Sequence, residues 1–484
     1  MKLTTARIVA ECINNRSVVI AGGFGCCGHP DLLTLALSER FAREQQPIGL
    51  TLLFASGAGD KNGKGLDKLA QPALIKRAIG GFWGFCPALT QLGKDGIIEA
   101  HNWPMGVISH LFRDIASGLD GHLSQIGLHT FVDPRLDGGG LAKGTSSLVE
   151  LLTIRNKEFL RYPSQGADFA LLRGTVADQH GNISMEGEAA LHDALWQAMA
   201  TRNSGGQIAF QVEHVVHHLP ANRVDIPAHL VDFVVETDER HYASYGSANV
   251  DITDQHTVIS LDKQLIVNRG CKEPIPDNSF LNFGIGIPAL IGDKLANLNN
   301  RFHSSVESGV INGKPKEGIA FGEADGYSSI IQQADLFSFY NGGGIDIAFL
   351  GFAEIDQYGH INASAFGNQL TGAGGFINIV HSAKKLIFCG TFSTKGLELE
   401  KNDNHIIIKK EGNVTKFVEH VQQITVATNH PEYWSKEIKI ITERAVLSLH
   451  KGEFTLEELT DGITVDDVLQ AIPFSIKTSN SIQK

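Results

Sequence analysis

"DFALLRGTVADQHGNIS" (168–184) and "DIAFLGFAEIDQYGHIN" (346–362) align without a gap and agree at seven of seventeen positions. The shared residues are Asp168/Asp346, Ala170/Ala348, Leu172/Leu350, Asp178/Asp356, Gln179/Gln357, Gly181/Gly359 and Ile183/Ile361. Each copy reads as a D-x-A-x-L strand running into a D-Q-x-G turn, because an apolar run gives way to the turn formers Asp and Gly. The repeat extends outward. "SVVIAGGFGCCGHPDLLTLALSERF" (17–41) and "SFLNFGIGIPALIGDKLANL" (279–298) each present an apolar strand, a glycine turn and a helical pattern. Further strands alternate with helical patterns, as in "IGLTLLFA" followed by "LDKLAQPALIKRAI". That alternation belongs to βαβ units with parallel strands. The expected fold is α/β: two related open α/β domains with mostly parallel sheets, over residues 1–250 and 251–484. Their join is expected in the polar stretch 239–256.

Composition narrows the function. The chain has 484 residues with 42% hydrophobic and 19% charged content, which suits globular domains with large cores. A net charge of −12 disfavours nucleic-acid binding, which needs a basic face. No stretch has the length of a membrane span, and the N-terminal residues do not resemble a signal peptide, so a cytoplasmic location is expected. The six cysteines (Cys12, Cys26, Cys27, Cys86, Cys271, Cys389) form no C-x-x-C pair and read as reduced thiols. His214 and His218 would share a face only if "EHVVHHL" (213–219) were helical; it reads more like a strand, and no metal is expected.

Gly23, Gly25 and Gly28 have the G-x-G-x-x-G spacing of a dinucleotide-binding turn. Such a site also needs an acidic residue about 20 residues on, at the end of the second strand. Here that strand runs into "SGAG", and the second copy, Gly284-Ile-Gly286-Ile-Pro288, lacks the third glycine. The turns therefore suit backbone amides aimed at some other anion. Glu307, at the end of a β-rich segment and just before Ser308-Gly309, stands where open α/β sheets place reactive groups.

"NFGIGIP", "VESG", "FYNGGGIDIAFLGFAEID" and "TGAGGFINIVHSAKKLIFCGTF" resemble, in order, the C-terminal half of the family I CoA-transferases, most of all the single-chain acetate/propionate (short-chain acyl) group. "GGFGCCGHPDLL", "GFWGFCPALTQL", "EAHNWPMGVISHLFR", "TFVDPR" and "VDIPAHLVDFVV" resemble the N-terminal half. The resemblance implies that Glu307 is the nucleophile and forms a covalent glutamyl-CoA thioester in a ping-pong exchange between acyl-CoA and a small carboxylic acid. Coenzyme A would be substrate and transient adduct, with no tightly bound cofactor. Gly284, Gly286, Gly374 and Gly375 would supply oxyanion and CoA contacts, and Gly22, Gly23, Gly25 and Met105 would bound the acyl site. A homodimer or homotetramer is implied as well.

A free carboxylate has a reference pKa near 4.3 and is expected to be ionised at pH 7 without an activating base. Four positions depart from the family pattern. Met105 stands in "NWPMG" where Gln is usual, Asn312 replaces a common glycine, His360 replaces Asn, and Lys143 lies three residues beyond the glycines of "DGGGLAKG". Met105 points to a larger or less polar acyl group. Lys384 and Lys395 are candidates for CoA phosphates. An acyl-CoA hydrolase on the same scaffold, and an inactive relative, remain open at this level.

Overall fold

The computed structural model describes residues 2–237, 241–246, 259–298, 301–403 and 405–483. The expected join at 239–256 lies mostly outside them. The chain forms two compact units. The first comprises Met1–Ile252, Val306–Ser338 and Leu370–Asn378, and the second Thr253–Ser305, Phe339–Gln369 and Ile379–Lys484.

The first unit is built on an eight-stranded sheet. Its strands are β1 (Lys2–Leu3), β2 (Val18–Ala21), β3 (Leu50–Ser56), β4 (Ile75–Phe82), β5 (Glu99–Asn102), β6 (Phe169–Arg173), β7 (Gln207–Val212) and β8 (Phe233–Glu236). They lie in the order β1-β8-β7-β6-β2-β3-β4-β5, every pair parallel. Strands covered on both faces must be apolar on both, and consecutive residues Val19 and Ile20 of β2 and Leu52, Leu53 and Phe54 of β3 are all fully buried. Helix α1 (Asp31–Glu44) turns Leu33, Leu37 and Phe41, four residues apart, toward this core.

The second unit repeats the plan. Its strands are β9 (Ser279–Phe283), β10 (Phe302–Val306), β11 (Ile347–Gly351), β12 (Lys385–Cys389) and β13 (Glu437–Ile441). They pair in parallel as β10-β9-β11-β12-β13. The hairpin Ala445–His450 and Glu453–Leu459, a helix (Val465–Ala471) and a last strand (Lys477–Gln483) extend this edge, matching the strand, hairpin and helix read from the sequence after residue 435.

The repeated aspartates explain the duplication physically. Asp168 precedes β6, and its carboxylate accepts the Val18 N–H at the start of β2 at 2.7 Å. Asp346 accepts the Phe280 N–H in β9 at 2.8 Å in the same way. Each thus ties the open start of a neighbouring strand. At the other end the Gly22 N–H donates to the Leu171 carbonyl (3.0 Å) and the Gly284 N–H to the Phe349 carbonyl (2.8 Å). The D-Q-x-G turns also correspond. Asp178 accepts the N–H groups of His180 and Asn182 (2.9 and 3.0 Å), and Asp356 those of Tyr358 and His360 (3.0 and 2.9 Å). The His360 ring meets the Asp356 carboxylate at 3.1 Å, as the Asn182 amide meets Asp178 at 2.9 Å, so the exchange of Asn for His keeps the turn closed.

The compact units do not follow the sequence halves. Two stretches of the C-terminal half belong to the first unit, because their hydrogen bonds are made there. The Ala334 N–H donates to Asp193 (2.9 Å), the Cys26 N–H to the Phe321 carbonyl (3.0 Å) and the Ala373 N–H to Asn102 (2.9 Å). The run 213–219 contains a strand, His214–Val216, so His214 and His218 are not placed on one helix face. Among the described residues no cluster of three or more His, Cys, Asp or Glu could hold a metal, and no helix is long and apolar enough to cross a membrane.

Candidate active site

Glu307 follows β10 directly and is followed by a tight turn. The Gly309 N–H donates to the Val306 carbonyl (3.0 Å), and the Ile331 N–H to the Gly309 carbonyl (2.9 Å). Gly309 has φ +106°, and a Cβ there would lie 2.0 Å from the Ile331 oxygen, so only glycine can follow Ser308. Ser308 is fully buried, and its hydroxyl has no partner among the described residues.

The Glu307 carboxylate is partly buried and its Oε2 accepts the Gly375 N–H at 3.1 Å. A Cβ on Gly375 would meet that oxygen at 2.5 Å and the Phe337 ring at 2.9 Å, so the absence of a side chain is what lets the amide reach the acid. The loop bearing it is held to the carboxyl ends of β4 and β5. The Trp83 N–H donates to the Thr371 carbonyl (2.7 Å), and the Gly374 N–H to the Gly81 carbonyl (2.9 Å). Asn102, at the end of β5, accepts the Ala373 N–H (2.9 Å) and donates to the Gly80 and Gly81 carbonyls (3.0 and 2.6 Å). Helix α2 (Met105–Ala116) completes the frame: the Met105 N–H donates to the Gly374 carbonyl (2.8 Å), and the Gly106 N–H to Asn378 (3.2 Å).

Burial pushes the Glu307 pKa up to about 7, opposed by the Gly375 N–H; no charged side chain adds to the shift. The expectation of a fully ionised acid at neutral pH is thereby corrected: desolvation disfavours the anion. The sign of the linked stability follows. Between pH 4.5, the ordinary value, and about 7, the folded state keeps a proton that the unfolded state releases, so stability falls as pH rises through this window. At about 1.4 kcal/mol per pKa unit, and with partial exposure, the loss is about 1–3 kcal/mol. Thermal melts of Glu307→Gln should show a higher midpoint than the parent at pH 8 and no difference below pH 4.

Of the residues expected from the sequence, Glu307, Gly374, Gly375 and Met105 come together in the first unit. Met105 is 1% exposed, with its N–H on the loop that holds Glu307. Gly22, Gly23 and Gly25 form a turn in the same unit, packed on the segment that follows Glu307; the Phe24 and Phe321 rings stack at 5.9 Å. Gly284 and Gly286 belong to the second unit, where Gly286 caps helix α3 (Ile287–Asn297) and Ile285 between them is 68% exposed. Lys384 is engaged with Asp346 at 2.8 Å, and Lys395 lies over the Phe366 ring at 6.0 Å. Asn312 has φ +59°, a left-handed conformation that asparagine tolerates in place of glycine. Asn102, Asn378 and Phe337 are the site residues that sequence reasoning missed. The one available signal for Asn102 was its place in "HNWPMG".

The coenzyme A transferase model matches residues 2–237 and 271–471. The chain belongs to the coenzyme A transferase family. It is 35% identical to the acetate CoA-transferase YdiF of Escherichia coli (strain K12) over 473 residues, covering 94% of this chain and 88% of that protein. It is 33% identical to the caffeate CoA-transferase of Acetobacterium woodii, covering 100% of this chain and 96% of that one. Among solved structures, the acyl-CoA transferase YdiF apoenzyme from Escherichia coli O157:H7 superposes with a TM-score of 0.92 at 32% identity, covering 99% of this chain and 94% of the other. A thioester complex of that enzyme with CoA superposes with a TM-score of 0.91 at 31% identity, covering 100% and 94%. The two-unit α/β architecture is therefore that of a CoA-transferase, and this family acts on CoA thioesters.

Proposed function

We propose that this CoA-transferase moves CoA between a short-chain acyl-CoA and a free carboxylate, and that Glu307 carries the covalent thioester. The observation supporting this reading is the Glu307 carboxylate held through Oε2 by the Gly375 amide at 3.1 Å, which leaves Oε1 free to attack. In the first step Oε1 adds to the thioester carbonyl, and collapse expels the CoA thiolate, leaving a mixed anhydride on Glu307. The thiolate then adds to Cδ of Glu307. Charge develops on the oxygen that faces the Gly375 N–H, so this amide acts as oxyanion donor for the second step. Collapse releases the donor acid and leaves glutamyl-CoA. An acceptor carboxylate runs the two steps in reverse. Each half-reaction as a whole trades one thioester for another and one acid for another, so it is close to thermoneutral overall even though it passes through the anhydride.

Gly374, Gly284 and Gly286 are proposed as further CoA and oxyanion contacts, and Gly22, Gly23, Gly25 and Met105 as the acyl-site boundary. A cytoplasmic location, assembly as a homodimer or homotetramer, and the lack of a tightly bound cofactor are part of the same proposal. The relatives named for acetate and caffeate support a monocarboxylate acceptor.

The test is the intact mass after incubation with acetyl-CoA and no acceptor. The expected adduct is CoA less one water, mapped to Glu307 and discharged by acetate with recovery of acetyl-CoA. Discharge by water alone would establish a hydrolase instead. With a nucleophile of pKa about 7, adduct formation should rise about tenfold per pH unit from pH 5 to 6.5 and level off above pH 8. A flat profile would mean that the attacking carboxylate is not this one.

A further inference from the structure

Asp193, in the first unit, opens the helix Ala194–Asn203 and is 1% exposed. It and His192 both occupy the left-handed region, at φ +56° and +51°, a conformation held only where the surrounding fold imposes it. The carboxylate makes no cap on its own helix. It meets instead the first turn of another, Gln333–Asn341, where Oδ1 accepts the Ala334 N–H at 2.9 Å. The adjoining Gln333 donates from Nε2 to Ser109 Oγ of α2 at 2.7 Å. An acid at a helix start satisfies an N–H that has no partner within the helix, and it faces the positive end of the dipole.

What this hold places is Phe337. His110 Nε2 lies 3.1 Å from both the Ala334 carbonyl and the Ser338 hydroxyl, and Arg113 donates to Ser338 at 2.9 Å, so the helix is docked along α2. Phe337, three residues after Ala334, is fully buried. A Cβ on Gly106 would meet its ring at 2.4 Å. One on Gly375 would meet the ring at 2.9 Å and Oε2 of Glu307 at 2.5 Å, so ring and carboxylate are neighbours. Burial is the largest cause of the raised Glu307 pKa, and an apolar ring in this place supplies part of it. Burial also pushes the Asp193 pKa up to about 7, opposed by the Ala334 N–H and the Ser109 hydroxyl; Asp335 adds to the rise and Arg113 lowers it. Oδ2 of Asp193 has no hydrogen-bond partner among the described residues, and a buried carboxyl so placed lowers stability. Its contribution is therefore one of placement.

We propose that Asp193 is a positioning residue for the transfer reaction: by holding the Ala334 N–H it fixes the Phe337 ring beside Gly375 and keeps water from the Glu307 carboxylate. This rests on the reading of Glu307 as the nucleophile. It adds a residue that acts only through Phe337 and sets both the rate and the pH range of the attacking acid.

The experiment compares the full-length parent with Asp193→Gly, Asp193→Asn and Phe337→Leu. Glycine suits φ +56°, so Asp193→Gly removes the carboxylate while relieving the backbone. Intact-mass sampling gives the rate of adduct formation from acetyl-CoA between pH 5 and pH 9. Thermal melts of each protein, with and without Glu307→Gln, read the Glu307 carboxyl without turnover. In Asp193→Gly the saturating rate at pH 8 should fall by about 10-fold or more, with half-saturation by acetyl-CoA within about threefold of the parent. The midpoint of its pH profile should drop from about 7 by about one unit or more, as water reaches Glu307. The gain in melting midpoint that Glu307→Gln gives at pH 8 should shrink by about half. Asp193→Asn, whose Oδ1 still accepts the Ala334 N–H, should recover most of the rate and the parent pH midpoint. Phe337→Leu should lower the midpoint by a smaller step, and it decides the matter should Asp193→Gly fail to fold. An unmoved midpoint in Asp193→Gly or in Phe337→Leu, or equal losses in Asp193→Gly and Asp193→Asn, would overturn the proposal. Should the parent form no adduct while the melting gain still shrinks in Asp193→Gly, the positioning would stand and the reading of Glu307 as nucleophile would fall.

Discussion

Glu307→Gln should leave no CoA adduct on the protein and lower transfer by about 10⁴-fold or more, the scale seen when a covalent nucleophile is removed. Gln is nearly isosteric and can still accept the Gly375 N–H that now reaches Oε2 at 3.1 Å, so the loop should keep its place. Loss of activity could then not be attributed to a collapsed site. It would reflect the missing oxygen nucleophile, and the raised melting midpoint at pH 8 would show the protein to be folded. Glu307→Asp withdraws the carboxylate by one methylene from the Gly375 amide. It should retain slow adduct formation, about 10²-fold or more below the parent, because a misplacement of about 1 Å is enough for that. Stopped-quench sampling with intact-mass detection reads both variants. Adduct formation by Glu307→Gln at the parent rate would place the nucleophile elsewhere.

The second large effect is expected at Gly375. Its Cβ in Gly375→Ala would fall 2.5 Å from Oε2 of Glu307 and 2.8 Å from Cδ, and the carboxylate, as the free end of a flexible side chain, would move rather than the loop. The amide then loses both the ground-state oxygen and the developing oxyanion, so thioester formation should slow by about 10²–10³-fold. Gly375 is not in the left-handed region, but the added methyl would also crowd the buried Phe337 ring at 2.9 Å, so a modest fall in melting midpoint should accompany the larger loss of rate. Gly374→Ala should show the opposite balance. Gly374 has φ +53°, where an L side chain costs about 1–2 kcal/mol, while its Cβ would stay 4.0 Å from Oε2. The melting midpoint should fall by several degrees with a smaller loss of rate. Paired melts and single-turnover measurements separate the two, and a rate loss larger at 374 than at 375 would remove Gly375 from the oxyanion role.

Neighbouring glycines thus have different reasons to be glycine, one steric and one conformational. "TGAGG" by itself does not distinguish them. The distinction depends on what stands opposite: the Glu307 carboxylate for Gly375, and the Gly81 carbonyl and Phe82 ring for Gly374. Glu307 shows a similar division. A carboxylate at a strand end was recognisable, but its raised pKa arises from burial, which needs the surrounding fold.

The sequence by itself determined the α/β class, the duplication and the place of Glu307. These depend on local patterns: buried parallel strands read as continuous apolar runs, the D-Q-x-G turns are closed by residues within four positions, and the Asp168 and Asp346 tethers recur because both units tie a strand start in the same way. Only the tertiary structure decided which segments share a compact unit and what holds the Glu307 carboxylate. Asn102 and Ala373 are 271 positions apart, and Glu307 and Gly375 are 68 apart. Hydrogen bonds across such separations leave no periodic trace along the chain. The hold of Asp193 on the Ala334 N–H, 141 positions away, which places the Phe337 ring, is assembled in the same way. Chain crossings bring these residues together, and apolar rings and backbone amides are too common along any sequence to reveal their partners until the backbone has folded.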